Sequence, residues 1–86
     1  MKGYIIVNFH PFDLYQTISV YQNGEEIANY TTPIEELNSL IPALCKQYEI
    51  KNVDLCGNAH YLSKFKAEMK LKFADESDIN IGIINK

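Results

Sequence analysis

The residues of this chain whose types could do chemistry are few and scattered. His10, Cys45, Cys56 and His60 are side chains of the zinc-ligating kind. None stands at the short spacing from another that nucleates a structural zinc site. Cys45 falls beside an apolar helical stripe and Cys56 inside a strand-like run, where a thiol acts as a small buried hydrophobe. Nothing supplies the third group that would orient a Cys–His nucleophile pair. From these residues no metal, no cofactor and no catalytic residue is expected.

Two clusters point to binding. Gly57-Asn58-Ala59-His60 leaves a strand-like run and opens a helical one, and the N–H groups at such a start suit an anion. Gly57, Asn58 and Lys64 are therefore a candidate anion site. In the plainer reading Gly57 serves the turn and Asn58 caps the helix, since a single glycine is not a phosphate loop. Phe12, Tyr15, Tyr21 and Tyr30 are the candidate interaction residues. Phe12 and Tyr15 flank the first loop with Phe9, while Tyr21 and Tyr30 are expected on one face of a hairpin. Aromatic side chains are enriched at binding hot spots.

Charge narrows the partners. The net charge is −3, yet residues 58–73 hold Lys64, Lys66, Lys70 and Lys72 against one acid, Glu68. The chain contains no arginine. Bidentate reading of guanine relies on the guanidinium fork, so sequence-specific DNA binding is not expected, although lysines can hold a phosphate backbone as point charges.

These residues need a scaffold, and the 86 residues suffice for one domain spanning 1–86. A hydrophobic share of 47% is that of a globular chain. No apolar run reaches the roughly 20 residues needed to cross a bilayer, and the N-terminal segment lacks signal-peptide features. A cytoplasmic location is expected, host cytoplasm included.

Residues 4–9 are β-branched or aromatic on both parities, the pattern of a central strand buried on both faces. Pro11 interrupts it, and a second strand follows over 14–22. Asn23-Gly24 then predicts a two-residue hairpin turn. That turn sets Gln22 against Glu25, Tyr21 against Glu26, Val20 against Ile27 and Thr17 against Tyr30. Thr32-Pro33-Ile34-Glu35 reads as a capping box with proline at the first helical position. Ile34, Leu37, Ile41, Leu44 and Tyr48 form the apolar stripe of that helix, with Pro42 expected to kink or split it. A short strand over 52–56 follows, then a helix burying Leu62, Phe65, Met69 and Phe73, then a last strand over 79–84.

The order β-β-β-α-β-α-β with a tight Asn-Gly hairpin resembles the ribonuclease H-like superfamily, which includes the RNases H, junction resolvases and lobes of actin-like ATPases. The segment Asn52-Val53-Asp54-Leu55-Cys56-Gly57-Asn58-Ala59 is similar to the strand-turn-helix that approaches nucleotide in the actin-like lobes. The resemblance implies a single small α/β domain with a mixed sheet and helices packed on it. It also implies carboxylates where this chain has Asn8 and Asn58, and an amide cannot hold Mg²⁺ with a carboxylate's charge. Glu35, Glu36 and Asp54 are the remaining acids to consider.

The expected function is a non-enzymatic protein-interaction or regulatory module, in a phage or bacterial accessory protein, that binds a protein partner or itself through a sheet edge or the aromatic loop. The alternative is a nucleotide- or nucleic-acid-binding remnant using Gly57, Asn58 and the lysine face. A metal-dependent nuclease ranks third.

Overall fold

The computed structural model describes residues 3–10, 14–72 and 79–85. Strands β1 (Gly3–Asn8), β2 (Tyr15–Gln22) and β3 (Glu25–Pro33) lead through a 3-10 turn at Ile34–Glu36 into helix α1 (Leu37–Tyr48). Strand β4 (Asn52–Gly57), helix α2 (Ala59–Lys72) and strand β5 (Asn80–Asn85) follow. The order expected from the sequence is the order found. The strands form one mixed sheet in the order β3-β2-β1-β4-β5. β2 runs antiparallel to β1 and β3, while β4 is parallel to β1 and β5 to β4.

That order places both helices on one face. β3, β4 and β5 all run the same way, so α1 and α2 are crossovers between parallel strands that step in the same direction across the sheet. Such crossovers are right-handed almost without exception, and two right-handed crossovers stepping the same way lie on the same side. The core shows this. Ile5, Val7, Ile18, Val20, Val53, Leu55 and Ile81 are buried with Leu37, Ile41, Leu44 and Cys45 of α1 and Leu62 and Phe65 of α2. On each strand these positions share one parity, the mark of a single covered face.

Several expectations change. β1 is not buried on both faces: Ile5 and Val7 are fully buried, whereas Tyr4 and Ile6 are half-buried on the other side. The hairpin turn forms as read, with Asn23 at φ 55° and Gly24 at φ 81°. Gln22 pairs with Glu25 and Tyr21 with Glu26, but a bulge then shifts the register. Val20 meets Ala28 rather than Ile27, and Tyr30 meets Ile18 rather than Thr17. Ile27 is the extra residue, 44% exposed. A slip of one residue flips every later side chain to the opposite face. The small side chain of Ala28 takes the core position and gives no hydrophobic signal of its own.

The expected capping box does not form. Pro33 ends β3, and Thr32 is buried with its hydroxyl donating to the Pro33 carbonyl and, at 3.5 Å, to Glu36 Oε2 rather than Glu35. Pro42 does not split α1, which runs on as one helix to Tyr48. The proline leaves only the Asn38 carbonyl without its usual i+4 donor, and the buried stripe on either side holds the helix together. Phe73 of the expected α2 stripe, and the side chain of Met69, lie outside the described residues.

Candidate functional site

The sheet face away from the helices brings together polar, aromatic and acidic side chains from all five strands. Its side chains follow from strand register and form rows across the sheet. One row runs Thr31, Thr17, Asn8, Cys56, Ile84. The next runs Asn29, Ser19, Ile6, Asp54, Gly82. In the third, Glu26 and Tyr21 lead to Tyr4, and Asn52 pairs with Asn80. Among the described residues no helix covers this face. Parallel strands are usually covered on both sides, so an open face over β1, β4 and β5 departs from the common pattern.

The face is organised rather than merely solvated. Tyr4 and Tyr21 stack with ring centroids 4.9 Å apart and planes within 11°. The Asn29 side-chain amide donates to Ser19 Oγ at 3.1 Å and to Glu26 Oε1 at 3.2 Å. His10 Nε2, two residues past β1, lies 3.2 Å from Thr17 Oγ1 of the upper row. Asp54 leans over β5: a Cβ on Gly82 would sit 2.8 Å from its Oδ1, so only glycine leaves the carboxylate that place. Beside it lies a concavity of about 950 Å³, lined by Tyr4, Asn52 and Asp54 of the face, by Gly3, by the turn residues Asn23 and Gly24, and by Glu49 and Lys51 before β4. Among the described residues the charged groups on this face and rim are Glu26, Glu49 and Asp54 against Lys51, an acidic set.

The sequence-predicted residues are dispersed by this arrangement. Tyr21 is on the open face. Tyr15 is 55% exposed at the start of β2, next to Leu14, also exposed. Phe12 lies outside the described residues. The bulge separates Tyr30 from Tyr21, contrary to the shared face expected for them. Tyr30 packs on the helix side, its hydroxyl 3.0 Å from that of Tyr48. This hydrogen bond, with burial and the nearby Tyr30 charge, raises the Tyr48 pKa above the ordinary tyrosine value of 10.0. Phe9 is also on the helix side, edge-on to Phe65 at 5.0 Å.

Gly57, Asn58 and Lys64 lie at the opposite end of β4 from the concavity. Gly57 has φ 155° and stands where a Cβ would be 3.3 Å from that of Phe9, so close packing against the end of β1 accounts for it. The Asn58 carbonyl accepts the Leu62 N–H at 2.9 Å, opening α2. Lys64 is exposed on α2. Cys45 and Cys56 are buried and form no disulfide, on the helix side and the open side respectively. Among the described residues no three of His, Cys, Asp and Glu come together to hold a metal ion. Nor is any described helix long and apolar enough to cross a membrane. Sequence reasoning missed Tyr4, Ile6 and Ile84 as parts of one surface, although the strand alternation that unites them is visible once register is known.

No protein-family model matches this chain, and no curated protein matches it. A solved structure does. The chain is similar to Pelota of Archaeoglobus fulgidus, with a TM-score of 0.62 and 14% identity. The match covers 98% of this chain and 26% of that one, so the chain spans about a quarter of that protein's length. At this identity the likeness is one of fold. The Pelota crystal structure is described as revealing inter-domain structural plasticity.

Proposed function

We propose that this chain is a non-enzymatic interaction module that docks a basic protein surface on its open sheet face. One observation carries the reading: among the described residues the sheet is covered by helices on one side only, and the open side is acidic and aromatic. The stacked Tyr4–Tyr21 pair and Ile6 offer apolar contact, and Asp54, Glu26 and Glu49 favour a lysine- or arginine-bearing partner. The same charges oppose a phosphate backbone, which argues against the nucleic-acid alternative on this face. The sheet order β3-β2-β1-β4-β5 with β2 antiparallel supports the ribonuclease H-like resemblance as an account of the fold. The Pelota likeness supports a module that works beside other domains, in its own chain or another.

The test is a fluorescence-anisotropy titration of the full chain with a lysine-rich peptide and with a single-stranded oligonucleotide of equal length. The peptide is expected to bind and the oligonucleotide not to. Glu49→Lys and Asp54→Asn are expected to weaken the peptide, and added salt to weaken it further. Retention of the oligonucleotide but not the peptide would reverse the assignment.

A further inference from the structure

The two edges of the sheet differ. β3 is guarded: a bulge at Ile27 distorts it, Glu25 and Glu26 charge one end, and Pro33 closes the other. β5 has none of these. Asn80–Asn85 reads Asn-Ile-Gly-Ile-Ile-Asn, without charge or proline, and pairs with β4 residue for residue with no register shift. An edge left regular and uncharged is a template for another strand.

Backbone direction specifies how it would pair. The Asn80 N–H donates to the Lys51 carbonyl, so Asn80 turns its backbone groups toward β4. In a parallel ladder this alternates, and Gly82 and Ile84 do the same. The N–H and C=O groups of Ile81, Ile83 and Asn85 therefore point outward, at an edge that no described strand pairs with. We propose that β5 joins two copies of this chain, pairing antiparallel about a two-fold axis perpendicular to the sheet through Ile83. This register matches Ile83 with itself and Ile81 with Asn85 as hydrogen-bonded pairs, using every outward group of the strand. It also sets Ile84, 42% exposed, across from the partner copy's Gly82. That pair is of the non-hydrogen-bonded kind, where side chains approach most closely, so Ile84 would lie beside the Asp54 carboxylate that leans over the partner copy's Gly82. Self-pairing about a two-fold axis sets each residue against its own strand, so an edge without charge meets no like charge. It also closes the assembly at two copies.

The dimer would present one continuous sheet with both open faces on the same side. It deepens the interaction reading above by doubling that surface, but uses different residues and can fail separately. The experiment is sedimentation equilibrium of the full chain over a wide concentration range, joined to amide hydrogen exchange. A concentration-dependent dimer is expected, with the Ile81 and Ile83 amides protected at high concentration and exchanging freely when dilute. Ile84→Lys is expected to weaken the dimer about tenfold or more by charging the paired edge. Ile27→Lys, on the guarded edge and comparably exposed, is expected to leave it unchanged, with circular dichroism confirming that both variants fold. A strict monomer, a dimer with freely exchanging Ile81 and Ile83 amides, or one dissolved by Ile27→Lys but not by Ile84→Lys would overturn the proposal. Peptide binding that survives such a result would leave the open-face reading standing.

Discussion

The two faces of this sheet are built from the same strands and the same alternation, yet they meet opposite surroundings. On the helix side Ile5, Val7, Ile18, Val20, Val53 and Leu55 are fully excluded from water by α1 and α2. On the open side the matching rows hold Thr17, Asn8 and Cys56, then Ser19, Ile6 and Asp54, tied to each other laterally rather than to a covering layer. The difference teaches that parity decides which strand residues the helices cover. Changing a strand residue by one position moves it from the helix-covered side to the side no described helix covers, where Ser19 and Cys56 are nonetheless buried among their neighbours.

Truncation on each face is the strongest way to break this division. Leu55→Ala is expected to cost about 2–5 kcal/mol in urea denaturation, because it removes a fully buried side chain and leaves a cavity. Ile6→Ala, on a neighbouring strand but the open face, is expected to cost less than about 1.5 kcal/mol, since its removal leaves no sealed void. Equal losses at the two sites would mean that the open face is packed as tightly as the covered one.

Alkaline titration sharpens the comparison at the seam between β3 and α1. Tyr48 has a raised pKa in the folded state, through its hydrogen bond with Tyr30 and its burial. The folded state therefore holds this proton more tightly than the unfolded chain. The stabilisation is complete below the ordinary tyrosine pKa of 10.0 and declines as pH rises through and beyond it. Tyr48→Phe is expected to flatten that decline, read as thermal midpoints between neutral and alkaline pH. An unchanged alkaline loss in the variant would assign it to other groups.

The smallest expected effect lies at the bulge. Ile27→Thr should change stability by no more than about 0.5 kcal/mol, as at an ordinary surface position. In the straight hairpin register Ile27 would be a core residue facing Val20, and its truncation would cost several times more. Chemical denaturation of this single variant decides between the two registers.

Much of this architecture was legible in the residues themselves. Element order, the Asn23-Gly24 turn with positive φ at both positions, the α1 stripe through Leu37, Ile41 and Leu44, and the buried Leu62 and Phe65 are local consequences of periodicity and turn chemistry. The capping box was misread because Thr32 and Pro33 still belong to β3, and a strand continuing into a 3-10 turn carries the same residue types as a helix start. Pro42 does not split the helix, because one missing hydrogen bond weighs less than the apolar stripe on both sides of it. The bulge escaped notice because it substitutes the small Ala28 for Ile27 in the core, a choice made by the curvature of the paired strands. The open face depends on still more distant relations. Which parity is covered follows from strand order and crossover handedness, and neither is written in any local stretch of sequence. Tyr4 meets Tyr21, and Asp54 leans over Gly82, only because two separate strand pairings, β1 with β2 and β4 with β5, bring them side by side. Local chemistry determined which elements this chain forms. Long-range register and handedness decided which side of them faces outward, since those depend on contacts between residues far apart along the chain.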